Sequence, residues 1–235
     1  MSIAENIARV RERIAEAARR AGRSLDEITL MAVSKTFRAE AIEEAYSAGL
    51  RVFGENRVQE FAGKVGALGN LSGAKFHLIG HLQTNKAAKA AEIFHAIDSV
   101  DSLKLAEKLN GAAEKSGKKV DVLIEINIGG EDLKSGLAGR SAELEELLNA
   151  APRLEHLAIR GLMTIPPFTD DAQAARPYFR ALRELRDEIA AGRLPSVGME
   201  VLSMGMSHDF DVAIEEGSTC VRVGTAIFGE RVAGR

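Results

Sequence analysis

The residue in this chain with the clearest chemical potential is Lys35, which closes the apolar run ITLMAVSK (residues 28–35). Read as a strand, the run places Thr29, Met31, Val33 and Lys35 on one face, because side chains alternate along a strand. An amine at the mouth of an apolar face is partly desolvated, loses proton affinity and becomes a nucleophile towards carbonyls. A solvated strand end is the other reading of a lone lysine. A second residue of interest is Arg222, flanked by Val221 and Val223. Burying its charge alone costs several kcal/mol. It must therefore either pair with a carboxylate such as Glu55, Glu125 or Asp209, or donate to a ligand's ring nitrogen or phosphate. Two glycine- and hydroxyl-bearing stretches, SMGMSHD (203–209) and GTA (224–226), could bring backbone N–H groups close to a phosphate. Ordinary turn chemistry, with Ser207 capping a helix, competes with that reading.

These residues need elements to carry them, and the chain alternates strand-like with helix-like segments almost without interruption. Strands are expected at 28–35, 51–54, 75–79, 93–97, 120–126, 158–163, 200–203 and 220–223. Helices are expected at 39–48, 57–68, 85–91, 102–115, 141–150, 172–190 and 209–216. Ahead of them, Ile3, Ile7, Val10, Ile14 and Ala17 form one apolar stripe at helical spacing. Ser2 and Glu5 have capping-box spacing, with Gly22 as the stop, so residues 1–22 read as an added helix. Alternation of this kind implies parallel strands joined by right-handed crossovers. The expected fold is α/β: a single (β/α)8 TIM barrel over residues 1–235 with an additional N-terminal helix. An open doubly wound sheet is the alternative, but no GxGxxG follows the first strand and no GxxxxGK[ST] occurs.

In a barrel the C-terminal ends of the strands converge on one mouth. Lys35, Glu55, Asn56, His81, Asn127, Thr164, Ser203 and the pair Gly224 and Thr225 all fall at such ends, with Arg222 inside the last strand. The loops after strands seven and eight, where barrels commonly bind phosphate, are SMGMSHD and GTA. Residues 129–140 form the longest loop and are expected to serve the same face.

Composition excludes several classes. A net charge of −3 over 235 residues, with no basic stripe interleaved with aromatics, argues against nucleic acid. Lys115, Lys118 and Lys119 fall where a helix ends and offset its dipole. The single Cys220 leaves no internal disulfide and fits a reducing, cytoplasmic compartment, and its strand position reads as core. There is no apolar run of membrane-spanning length and no secretory h-region. His77 and His81 have HxxxH spacing, but along a strand four residues span roughly 13 Å, too far for one metal ion. His95, His156 and His208 have no partner spacing, so no metal is expected.

VSKT (33–36), FGEN (53–56), HLIGHLQTNK (77–86), GLMTI (161–165), LSMGMSHD (202–209) and VRVGTAIFGER (221–231) closely resemble the pyridoxal phosphate homeostasis protein family. The resemblance runs from the N-terminal helix to the C-terminus. It implies a fold-type III barrel similar to the barrel domain of alanine racemase, with pyridoxal 5′-phosphate as cofactor. Carried over position by position, it makes Lys35 the residue that holds the cofactor as an internal aldimine. Ser207, Gly224 and Thr225 would bind the phosphate, Arg222 would face the pyridine nitrogen, and Asn56 would lie beside the ring. The position after Ser207 varies in the family, so His208 is no departure. The implied role is intracellular cofactor buffering and delivery that affects amino-acid and keto-acid balance.

Two enzymatic alternatives stand beside that role: a pyridoxal phosphate-dependent racemase or decarboxylase, and a barrel aldolase using Lys35 directly on a sugar phosphate. Racemisation needs a second acid/base opposite the lysine. In the racemases it is a tyrosine from a C-terminal β-domain of the partner subunit. Here the sequence runs about a dozen residues past the last strand, and Tyr46 and Tyr178 both fall in helix patterns. The expectation is a monomer without racemase turnover. Its partners would be a small-molecule cofactor and cofactor-requiring apo-enzymes, not nucleic acid or membrane.

Overall fold

Eight parallel strands close into a barrel in chain order, the first hydrogen-bonded to both the second and the last. The computed structural model describes residues 1–131 and 135–229. The strands are β1 (Thr29–Val33), β2 (Val52–Glu55), β3 (Lys75–Leu78), β4 (Ala96–Val100), β5 (Val120–Glu125), β6 (Leu157–Met163), β7 (Val197–Ser203) and β8 (Cys220–Val223). The helices between them are α2 (Ala39–Ser47), α3 (Val58–Val65), α4 (Ala87–Ile93), α5 (Leu103–Lys115), α6 (Ala142–Ala150), α7 (Arg176–Ala191) and α8 (Phe210–Glu215). A short α9 (Thr225–Phe228) follows β8.

Strand alternation divides the apolar residues into two cores. Ala32, Phe53, Leu78, Ile97, Ile124, Leu162, Leu202 and Val221 point outward into the layer under the helices. Met31, Val33, Ile79 and Cys220, with Val52 and Val201 against them, fill the barrel interior. Cys220 is buried there, and burial pushes its thiol up to about 12, which fits a core role. Beside Cys220 and Val201 the interior turns polar: His77 on β3 meets Asp98 on β4 at 3.1 Å. Asp98 opposes the burial penalty and raises the imidazole above its usual range.

The added helix α1 (Ile3–Arg20) forms where the stripe predicts it, with both halves of the Ser2–Glu5 capping box made. Gly22 turns the chain at φ 66°, a conformation that favours glycine. Ile7, Val10 and Ile14 are buried against the outside of the barrel, each contributing about 1.5–3 kcal/mol at most. The helix packs on α2, α8 and α9. Its Asn6 donates to the Ile227 carbonyl at 2.8 Å, which ties α9 to the seam where the barrel closes.

Several boundaries differ from the sequence reading: β1 ends at Val33 rather than at residue 35, β7 begins at Val197 rather than at residue 200, and α3 ends at Val65 rather than at residue 68. The fourth strand is expected at 93–97 but spans Ala96–Val100, because α4 runs on to Ile93. The strand thereby takes in Asp98 and Ser99, both buried and partnered. The helix expected at 85–91 begins only at Ala87, after a 3-10 turn over Thr84–Lys86. The long helix expected at 172–190 is likewise preceded by a 3-10 turn, Ala172–Ala175. Pro177 lies in the first turn of α7, where its missing N–H costs nothing.

Candidate functional site

Because β1 and β8 are neighbours, with Met31 in register with Arg222, the last strand delivers Arg222 beside the face that leads to Lys35. Lys35 follows β1 by two residues and stays half-buried. Both line one cavity of about 210 Å³ at the C-terminal mouth, together with Asn56, Ser207, Gly224 and Thr225. Its apolar walls are Val33, Phe37, Ile79, Ile165 and Met206. All six candidate binding residues therefore reach a single space.

The two readings of Arg222 separate here. Among the described residues it forms no ion pair. One Nη donates to Ser203 Oγ and the other to the Thr164 carbonyl, each at 2.7 Å. The residue is 3% exposed, and burial lowers its proton affinity, opposed by several more distant carboxylates. An arginine retains its proton under such pressure. The site thus holds a permanent cation whose direct hydrogen-bond partners are neutral oxygens. Thr164 and Ser203, which reach the strand ends as expected, lie beneath the cavity as its supports.

Ser207 does not cap α8. The N-cap of that helix is Asp209, which instead accepts the Met206 N–H at 2.6 Å. Ser207 Oγ reaches across to the other loop and accepts the N–H groups of Gly224 and Ala226 at 3.3 and 3.4 Å. The loop from β7 depends on Gly205, whose φ of 92° and contact with Ala213 leave no room for a Cβ. Its carbonyl accepts the Arg222 N–H at 3.0 Å. Gly80 performs a similar service for Asn56, since a Cβ there would stand 2.2 Å from the Asn56 carbonyl oxygen.

Other strand-end residues do not converge on the cavity. Glu55 closes β2 on the outward face, fully buried, and accepts from Ser34 Oγ at 2.7 Å and from Lys64 Nζ. Burial pushes its carboxyl above the usual range, opposed by Ser34 and Lys64. His81 is exposed and pairs with Asp101 at 3.0 Å. Asn127 holds both the N–H and the carbonyl of Glu131, so it shapes the loop after β5. That loop returns to the barrel: Leu137 N–H donates to the Glu125 carbonyl and Ser135 Oγ to the Glu125 carboxylate. Lys134, Glu230 and Arg231 lie outside the described residues.

Sequence reasoning missed Glu60 and Lys64 on α3. Lys64 Nζ meets Glu55, Glu60 and the Ser34 carbonyl, and Glu60 accepts the Thr36 N–H. Their spacing of four is the only sequence signal, and it is shared by any solvated helix pair. The residues present suit a small anionic aromatic aldehyde. The cavity offers an amine on one side and a buried cation on another. At its rim stand a hydroxyl and the N–H groups opening α9.

Comparison with known proteins identifies relatives over nearly the whole chain. Residues 4–232 match the family described as alanine racemase, N-terminal domain. The pyridoxal phosphate homeostasis protein of Aquifex aeolicus is 48% identical, over 98% of this chain and 99% of that protein. Its counterpart in Escherichia coli K12 is 45% identical, over 97% of each. The structure of PipY from Synechococcus elongatus with PLP bound superposes with a TM-score of 0.84 at 38% identity, over 97% of this chain and 100% of that one. Alanine racemase of Clostridium difficile shares the fold at 14% identity and TM-score 0.74, with 99% of this chain matching 57% of that one. On this sequence identity, sustained over nearly its full length, the chain belongs to the pyridoxal phosphate homeostasis protein family.

Proposed function

We propose that this chain is a one-domain carrier and buffer of pyridoxal 5′-phosphate that attaches the cofactor covalently at Lys35 and does not turn over amino acids. The observation that carries the reading is that Lys35, Arg222 and the Ser207–Gly224–Thr225 cradle line the same cavity. PipY, whose structure contains PLP, matches this chain over 97% of its length. When bound, the cofactor supplies an aldehyde for attachment and a pyridine ring able to delocalise electrons.

Each residue has a distinct task in this reading. Lys35 Nζ provides the covalent anchor. Ser207, Thr225 and the N–H groups around Gly224 bind the phosphate. Asn56 borders the ring. Arg222, a permanent donor, keeps the pyridine nitrogen unprotonated and so weakens the ring as an electron sink.

What surrounds Lys35 supports a protein without turnover. Among the described residues, the cavity contains no tyrosine, histidine or carboxylate. Tyr46 lies on α2 and donates to the Ser72 carbonyl, and Tyr178 lies on α7. Among the described residues, then, none that lines the cavity is placed to return a proton from the side opposite Lys35. The chain would act as a monomer, handing its cofactor to apo-enzymes. No helix among the described residues is long and apolar enough to cross a membrane.

The test is to load the purified protein with pyridoxal 5′-phosphate, remove free cofactor and mix it with an excess of an apo-aminotransferase. Retention of a visible-absorbing cofactor through gel filtration, followed by recovery of aminotransferase activity, is the expected result. Loss of all cofactor on gel filtration would reject the reading.

A further inference from the structure

Lys35 sits in a turn whose peptide groups are held from behind, on the side away from the cavity. Ser34 uses every polar group it has. Its N–H donates to the Gly54 carbonyl at 3.0 Å, its hydroxyl to Glu55 Oε1 at 2.7 Å, and its carbonyl accepts Phe37 N–H at 3.1 Å and Lys64 Nζ at 3.2 Å. On the other side of Lys35, Thr36 N–H donates to Glu60 Oε1 at 2.5 Å. Thr36 has φ 70° although it is not glycine, a strained conformation that persists only where the surroundings impose it. Glu60 is one such restraint.

Lys64 joins the two arms. Its ammonium lies 3.0 Å from Glu55 and 2.9 Å from Glu60, and its side chain is 12% exposed. Three donors thus meet two carboxylates and one carbonyl, so the ammonium is fully engaged. Salt bridge and carbonyl contact together connect α3 and the end of β2 to the peptide groups flanking Lys35. None of the three residues lines the cofactor cavity.

We propose that Glu55, Glu60 and Lys64 form a positioning clamp that fixes the Lys35 turn and so sets how slowly the anchored cofactor is released. The proposal rests on the reading of Lys35 as the cofactor anchor. A looser turn would let the Lys35 amine sample more orientations. The cofactor would then lose its fixed asymmetric setting and escape faster, without any change in the groups that touch it.

The test compares wild type with Glu60→Ala, Lys64→Met and the pair Glu55→Gln/Lys64→Met, each loaded with pyridoxal 5′-phosphate. The double substitution removes both buried charges, so stability lost to an unpaired Glu55 is recovered in it. Three readouts are taken: the melting midpoint, the circular dichroism of the visible cofactor band, and the rate of transfer to excess apo-aminotransferase. Expected in Glu60→Ala and in the double variant are a midpoint within about 3 °C of wild type, weakened visible dichroism and transfer about tenfold faster. Wild-type dichroism and transfer rate in those two variants would overturn the clamp. So would a double variant that regains wild-type transfer where Lys64→Met alone is fast, since the cluster would then be a charge pair only. A wild type with no Lys35-linked visible band would instead sink the anchor reading itself, and the clamp with it.

Discussion

Replacing Ser207 by alanine separates a phosphate cradle from a structural tether. In the structure Ser207 Oγ accepts two backbone N–H groups, from Gly224 and Ala226, at 3.3 and 3.4 Å. Both are long and the side chain is only half-buried, so each contributes at the low end of the usual range, about 0.5 kcal/mol. Losing them should lower the stability of the cofactor-free protein by about 1 kcal/mol or less. A hydrogen bond to a charged phosphate contributes more, about 1.5–3 kcal/mol. Ser207→Ala should therefore weaken pyridoxal 5′-phosphate binding roughly 10- to 150-fold. Pyridoxal, which lacks the phosphate, should bind both forms equally. The assay is equilibrium titration of the visible band with both ligands, alongside thermal melts without cofactor. Equal loss of affinity for both ligands would refute the cradle, and so would unchanged phosphate-ligand affinity accompanied by a large fall in stability.

Three other outcomes are expected. Holo-protein incubated with L-alanine or L-serine should give no sustained racemisation by chiral chromatography; multiple turnovers that disappear in Lys35→Ala would promote the racemase reading. At the outer layer, Glu216 of the α8 C-cap is clasped by Arg176, Arg180 and Arg183. Burial opposes these arginines, yet they hold its carboxyl below the ordinary range. A depressed carboxyl stabilises the fold above its unfolded pKa, and that contribution is lost as pH falls through the lower folded value. The stability gap between wild type and Glu216→Gln should therefore close between about pH 5 and pH 2 in urea titrations. For His77 the sign reverses: burial opposes and Asp98 outweighs it, raising the imidazole. Its pairing with Asp98 stabilises fully below the unfolded pKa of about 6.5 and fades as pH rises through the higher folded value. The advantage of wild type over His77→Leu should shrink from pH 6 to pH 9.

The barrel is legible because each crossover repeats the same switch from period two to period 3.6, and β8 has the expected bounds. The fourth strand is the instructive miss. Its apolar prefix, Ile93 and Phe94, belongs to α4 and its cap. The strand itself carries Asp98 and Ser99, which are polar because they face partners inside the protein. A strand defined by satisfied polar groups lacks the apolar run that betrays the others. At the site, Lys35 and Arg222 stand out by type and position, and barrel closure brings them into one cavity. The support beneath them is hidden for a different reason. Glu60 and Lys64 have the spacing of an exposed helix pair, and only the packing of α3 over Ser34 turns that pair inward. Ser207 has the appearance of a helix cap, but its hydroxyl serves a loop separated from it by the whole of α8 and β8.

The most direct test of the account is borohydride reduction of the cofactor-loaded protein followed by peptide mapping by mass spectrometry. The pyridoxyl label is expected on the peptide bearing Lys35, with visible absorption and label both lost in a folded Lys35→Ala variant. Label mainly on Lys86, Lys64 or Lys134, or undiminished label in Lys35→Ala, would contradict it.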